Sequence, residues 1–441
     1  MKKIFIFSGI AISLVFFIGC EDNTTQSSNP AQKRDTVISE KYAFNGSISE
    51  RVLRNYLSRA ITQGELCQTR SDAVFNENVR MLKSIGAKFI GRTSFVWTPE
   101  IPEEQHFALV QKRAKQLFEI DPEFLLQCSI FEAVFHSSNE LTNYGVDLIP
   151  IPEYVFKEFG LPVELRNFDY YAMLYGKNKL SDEEYLYHDH WVKGASIPDI
   201  ASIETQMYFF YRASRYIDAG MEAIHFGQIR TMDDNDPEHE ISFELLGRIR
   251  DYAKKNARRN FVICSAHVPA LHGSNKPHGI VKNGRLLFDF HVFPLRPKEI
   301  CGQPYHTILE VGYHDSIYQN SLGGITPSGW KCDSLPYFVE FDNSGASNPG
   351  ICGTKEWWWP WGWDEICWFA HCSNDYRNQW LEYAHGWIRD NAPNGYLRVP
   401  GYITIAPDPI GDVWTYRINT KSDACPTGFS QEETVKRLWS E

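Results

Sequence analysis

The sequence predicts an α/β fold, a closed (β/α)8 barrel, and three observations carry that reading. Apolar runs of strand length alternate with amphipathic helical patterns from about residue 42 onward, the order that builds a parallel sheet with helices outside it. Eight such runs can be counted, and eight parallel strands close a barrel. The connections after the second and seventh runs are much longer than the others, and in such barrels the loops that follow the strands form the working face.

Residues 1–19 read as a lipoprotein signal peptide: Lys2 and Lys3 precede the apolar run "IFIFSGIAISLVFFIG", which stops at a small residue before Cys20. Cys20 is the expected lipidated N-terminus. Residues 20–41, with "EDNTTQSSNPAQKRDTVISE" after Cys20, have the composition of a flexible tether. The chain is therefore expected to be anchored to a bacterial membrane in the cell envelope by acyl chains alone. Residues 42–441 read as one domain, and 43% hydrophobic with 14% aromatic content is enough to bury a large core in it.

Two helices, in "SERVLRNYLSRAI" and "DAVFNENVRMLKSIG", lead into the first expected strand, "AKFIGRTSF" (87–95). The others are "FLLQCSIFE" (124–132), "MEAIHFGQI" (221–229), "NFVICSAH" (260–267), "LLFDFHVF" (286–293), "TILEVGYH" (307–314), "YFVEFDNS" (337–344) and "YLRVPG" (396–401). Between them "EEQHFALVQKRAKQLFEI", "SIETQMYFFYRASRYID", "ISFELLGRIRDYAKKNA" and "DEICWFAHCSNDYRNQWLEYAHGWIRD" show apolar residues at three- and four-residue spacing. The stretches 297–306 and 315–335 lack that pattern. The two long connections run from His136 to Pro198 and from Gly345 to Trp363, the second rich in tryptophan: six lie between Trp357 and Trp368.

Alternation along each strand sorts side chains into an outward set, packed on helices, and an inward set. Phe288, Phe290 and Val292 are expected outward, turning Asp289 and His291 in. Glu340 and Asp342 face inward by the same test, as do Glu310 with His314, Arg398, Arg92, His225 and His267. Glu132 ends the second run on the wrong parity, so only a break or bulge would aim it inward. Carboxylates, imidazoles and guanidiniums inside one barrel are costly unless paired or used.

The acidic balance excludes some partners. Loss of the signal removes two of the 44 basic residues and none of the 55 acidic ones, leaving a formal charge of −13, which repels phosphate backbones and argues against nucleic acid. Nine cysteines remain after Cys20, an odd number without regular spacing. Cys128 and Cys264 read as buried thiols, whereas Cys352, Cys367 and Cys372 could supply a disulfide in an oxidising compartment.

Carboxylates at a barrel mouth beside indoles suit glycoside hydrolysis, which needs one carboxylic acid for the leaving oxygen and one carboxylate as nucleophile or base. Glu340 is the expected nucleophile or base, and Glu132 the acid with Asp289 in reserve. Asp342, His267, His291, Arg92 and Arg398 would bind hydroxyls or tune the acids. Trp358, Trp359 and Trp361 would stack on sugar rings. The partner is then an oligo- or polysaccharide, with no cofactor and no metal. "YFVEFDNSG" resembles the clan of (β/α)8 glycoside hydrolases whose nucleophile is a Glu at the end of the seventh strand; that clan's Asn-Glu pair after the fourth strand has no counterpart in "CSAHV". "SERVLRNYLSRA", "GMEAIHFGQIRTM" and "FDFHVFPLR" resemble a group of bacterial proteins of uncharacterised function, which implies no activity. Two other readings compete. One is a glycan-binding lipoprotein without catalysis. The other is metal-assisted hydrolysis of the amidohydrolase kind by His225, His267, His291 and His314, although "FIGRTSF" lacks that family's His-x-His and the only such motif, "HDH" (His188–His190), lies in a long connection.

Overall fold

The computed structural model describes residues 38–97, 99–176, 187–267, 280–311, 313, 322–341, 352, 364–405 and 415–440. The signal peptide, nearly all of the tether, Cys20, His314, Asp342, Trp358, Trp359 and Trp361 lie outside them. Val37–Glu441 is one compact unit, and no described helix is long and apolar enough to cross a membrane.

Eight parallel strands close a barrel: β1 (Ala60–Gln63), β2 (Phe89–Phe95), β3 (Leu125–Ser129), β4 (Ala223–His225), β5 (Ile263–His267), β6 (Phe290–Pro294), β7 (Tyr337–Glu340) and β8 (Gly395–Thr404). Closure runs through β8 against β1, with Ile61 opposite Val399. A ninth strand, β9 (Thr415–Arg417), extends β8 antiparallel.

Helix α1 (Glu50–Leu57) begins at Ser49, whose hydroxyl accepts from the Val52 amide at 3.3 Å, and α2 (Asp72–Ile85) begins the same way at Ser71. Such caps satisfy amides that the first turn leaves unpaired. Helix α2 ends at Gly86 with φ 74°, a left-handed stop that costs glycine little. The outer layer continues with α3 (Glu103–Ile120), α4 (Glu153–Glu158) inside the long connection after β3, α5 (Ile203–Asp218), α6 (Glu240–Asn256), α7 (Glu365–His371), α8 (Asn374–Asn391) and α9 (Glu432–Leu438). Around β6 the described connections carry no helix. A small sheet of Val281–Lys282, Arg285–Leu286, Gly324–Ile325 and Lys331–Cys332 occupies them instead.

The lower half of the barrel is apolar. Ala60, Phe89, Leu125, Ala223, Ile263, Phe290, Val292 and Phe338, drawn from β1 to β7, form one buried cluster with Leu53, Tyr56 and Leu57 of α1. The Phe89 ring meets Phe290 at 5.8 Å and Phe338 at 5.1 Å. Strand β2 pairs with neither β6 nor β7, so these rings touch across the barrel and must point inward. Each buried Phe contributes about 1.5–3 kcal/mol by area.

Three expectations are corrected here. The first barrel strand is "AITQ" at 60–63, not 87–95, so each expected strand from 87–95 to 286–293 moves up one place. The 307–314 run is not a barrel strand: Thr307–Ile308 pairs with Lys298–Glu299 in a short hairpin, and the half-exposed Glu310 side chain accepts from Lys298 at 2.5 Å. The two changes cancel, and Glu340 still ends the seventh strand. The faces of β6 are also reversed. Phe290 and Val292 point in, so Asp289 and His291 point out among the surrounding elements. Asp289 accepts from the Cys264 amide at 2.8 Å and lies 3.5 Å from Arg250 of α6. His291 is buried between Phe288 and Phe293.

Candidate functional site

Two residues further along the same strands, the interior turns polar. Arg398 of β8 donates to Glu340 Oε2 at 2.8 Å and to Gln127 Oε1 of β3 at 2.8 Å. Gln127 in turn donates to Ser265 Oγ at 3.3 Å, and Ser265 Oγ lies 3.4 Å from His225 Nδ1. His267 Nε2 stands 3.2 Å from Glu340 Oε1, and Arg92 donates to that same oxygen. Glu340 thus sits at the centre of a belt drawn from β2, β3, β4, β5, β7 and β8.

Local backbone geometry builds this belt. The β2–β3 register slips between Ile90 and Ser94, and Arg92 adopts φ 53°, a left-handed bulge that re-aims its side chain into the mouth. Gly91 leaves the slot for the Arg398 guanidinium, because a Cβ there would lie 1.7 Å from Arg398 Nη2.

Burial would raise the Glu340 pKa, but the Arg92 and Arg398 charges, with His267, overcome it and hold the carboxyl well below the usual range. Burial also holds His225 neutral, its pKa depressed further by His267 and Arg92. Arg398 pays for its position, falling to about 10 through desolvation.

Above the belt opens a cavity of ≈ 1780 Å³ whose lining includes Arg92, His267 and Glu132. Pockets for small ligands run to roughly 300–1,000 Å³, so this one has room for a chain of several rings. Glu132 does face the mouth. Strand β3 stops at Ser129, and the turn beyond it carries the carboxyl to the Gln228 amide, which donates to Oε2 at 2.7 Å. The fit depends on Gly227, whose φ is +52° and whose Cβ, if present, would lie 2.0 Å from Glu132 Oε2. Burial outweighs that hydrogen bond and the nearby His267 and Arg92, leaving the Glu132 pKa raised.

The structure therefore gathers Glu132, Glu340, Arg92, His267, Arg398 and His225 at one end of the barrel, and leaves Asp289 and His291 outside it. Burial raises the Asp289 pKa and lowers that of His291 to about 3. Neither faces the cavity. His188 and Asp189 of "HDH" sit in a turn, 3.7 Å apart.

Several cavity residues escaped the sequence reading. Trp97 and Trp191 meet edge to face at 4.8 Å, and Trp97 meets Phe131 at 5.5 Å; all three line the cavity. An aromatic two residues past a strand end, as in "SFVW", was the available signal for Trp97. Glu65, just beyond β1, also lines it. Its amide donates to the Arg92 carbonyl at 3.1 Å, and burial, then Glu100, raises its pKa. Overlooking β1 concealed it.

No family model matches the chain, and no curated protein matches it. Among solved structures, the type III pullulan hydrolase from Thermococcus kodakarensis is similar at 10% identity and a TM-score of 0.25. The match covers 47% of this chain and 36% of that one.

Proposed function

We propose that the protein hydrolyses glycosidic bonds in an oligo- or polysaccharide, exported and held at the cell envelope by acylated Cys20. The observation that carries the reading is a pair of carboxyls, Glu132 lining the cavity and Glu340 buried in the belt beneath it, whose surroundings push their proton affinities in opposite directions. Burial raises the proton affinity of Glu132 while Arg92 and Arg398 lower that of Glu340, the direction of difference that acid-assisted hydrolysis needs. Glu132 gives its proton to the departing glycosidic oxygen. Glu340 is the nucleophile or base, approached past Arg92 and His267, which line the cavity and touch its carboxylate. Trp97, Phe131 and Trp191 offer the aromatic surface for sugar rings, with Trp358, Trp359 and Trp361 proposed to add to it. Incubating the mature protein with a panel of plant, algal and host polysaccharides, beside a Glu340→Gln control, tests this. Sugar released by the wild type alone supports it; binding without release favours a glycan receptor.

A second reading has its own observation. One ligand atom each from His225, His267 and Glu340 lie within 4.8 Å of one another, and His225 Nε2 is buried without a hydrogen-bond partner among the described residues. Two histidines, a carboxylate and an open side match a hydrolytic zinc site in kind. Both Glu340 oxygens, however, already hold guanidiniums, and two positive charges beside a cation site oppose its filling. Metal analysis of the purified protein separates the readings: a stoichiometric ion would favour metal-assisted hydrolysis.

A further inference from the structure

At the N-terminus of α2 lies a second pocket, of ≈ 210 Å³. Glu65, Gln68 and Arg70 line both this pocket and the main cavity, so the two share a rim. Its walls also include Asn78 of α2, Tyr402 of β8 and Arg417 of β9. The turn that carries Arg70 is braced: Arg113 donates from Nε to the Thr69 carbonyl at 2.9 Å and from Nη2 to the Arg70 carbonyl at 3.2 Å. Gln68 Oε1 accepts from the Phe95 amide at 2.7 Å, which ties the same turn to the end of β2. Arg417 stands opposite Tyr402 in the β8–β9 register and lays its guanidinium over that ring, 4.5 Å from the centroid.

Arg70 is exposed and Arg417 half-buried, and neither guanidinium meets a carboxylate among the described residues. The first turn of α2 adds amide dipoles that favour negative charge. Asp72 in that turn is engaged elsewhere, 2.7 Å from Arg113. Glu65 is the acid on the described lining, so two guanidiniums face one carboxyl, a local excess of positive charge in an acidic chain. A second observation is independent of charge. Asn78 is 3% exposed and lines the pocket, yet its side-chain amide makes no hydrogen bond among the described residues, whereas buried amides normally have partners. Two guanidiniums and a carboxamide NH2 make a donor set suited to carboxylate or sulfate oxygens.

We propose that this pocket binds an oxyanion borne by the substrate, a uronate carboxylate or a sulfate ester, between Arg70 and Arg417 with the Asn78 amide as a further donor. At ≈ 210 Å³ it takes a substituent, while the adjoining cavity takes the run of rings. That the anion belongs to a sugar rests on the glycosidase reading; the pocket's affinity for an oxyanion does not.

The test titrates the full mature chain calorimetrically with sodium sulfate, sodium glucuronate and neutral glucuronamide at constant ionic strength. At least one of the two anions should bind, and glucuronamide should bind at least about tenfold more weakly than that anion. Tighter sulfate assigns the pocket to a sulfate ester, tighter glucuronate to a uronate. Arg70→Gln and Arg417→Gln should each weaken the preferred anion by about tenfold or more, the worth of a charged hydrogen bond. Asn78→Asp, which puts a carboxylate in the same volume, should abolish binding. Arg70 is exposed, so its variant keeps the test available should the buried substitution unfold the chain. Binding of neither anion, or unchanged affinity in both arginine variants, would overturn the proposal. Anion binding lost in those variants, without sugar release from any polysaccharide, would sink the glycosidase reading and leave the pocket standing. Sugar release from neutral polysaccharides with no anion bound would sink the pocket alone.

Discussion

The two halves of the barrel interior are built from the same strands and do opposite things. Phe338 and Glu340 are two residues apart on β7, Ala223 and His225 on β4, Leu125 and Gln127 on β3; the first of each pair joins the apolar floor and the second the polar belt or its rim. The floor is closed off by α1 and gains stability from burial. The belt spends some of it, since a buried carboxylate and guanidinium recover their desolvation cost only when paired and hydrogen-bonded. The difference teaches that, in this fold, position along the strand decides between packing and chemistry.

Four substitutions would sharpen or break that contrast, taken in falling order of effect on activity per folded molecule. Glu340→Gln should lower turnover about 10²–10⁴-fold and also destabilise by about 3–5 kcal/mol, because Arg92 and Arg398 lose their common anion; activity assays paired with thermal melts read both. Glu132→Gln should match that turnover loss on unactivated glycosides with no loss of stability at neutral pH. Gly227→Ala, which crowds the Glu132 carboxyl, should cost on the order of 10²-fold through misplacement, read as a fall in kcat. Phe338→Ala should cost about 3–5 kcal/mol in a denaturant titration while turnover per folded molecule stays unchanged. Were Phe338→Ala to abolish turnover in fully folded protein, the separation between floor and belt would be wrong.

The two carboxyls also predict a pH profile. Glu132 must hold its proton and Glu340 must lose one, so activity should fall as pH rises through the raised Glu132 pKa and as it drops through the depressed Glu340 pKa. Stability follows the signs separately. Glu340, depressed on folding, stabilises above its unfolded pKa, and that contribution is lost as pH falls through the folded one. Glu132, raised on folding, costs stability increasingly as pH climbs from its unfolded to its folded pKa. Glu132→Gln should therefore melt slightly higher than wild type at neutral pH and not at pH 4.

Much of the fold was legible, because seven of the eight barrel strands lie in apolar runs of strand length, most of them separated by helical patterns. Strand β1 was not, since "AITQ" is four residues long and follows α1 after only two residues. The 307–314 run imitated a strand because its alternating residues serve a hairpin clamped on Trp368, Tyr376 and Trp380. Of its apolar positions, Leu309 and Tyr313 are buried outside the barrel sheet, while Ile308 and Val311 are exposed. The faces of β6 were reversed for a related reason: barrel strands are buried on both sides, and with Phe288, Phe290, Val292 and Phe293 all apolar, periodicity alone cannot choose the inside. Arg92 and Glu132 reach the mouth through a bulge and a strand end, which alternation cannot foresee.

The measurement that tests the central claim most directly compares wild type with Glu132→Gln on two substrates sharing one sugar. One has an ordinary sugar leaving group and the other a dinitrophenyl leaving group that departs without a proton. An acid at Glu132 predicts a loss of about 10²–10⁴-fold on the first and near wild-type rates of bond cleavage on the second. Equal loss on both, or no sugar released from either by the wild type, would contradict the account.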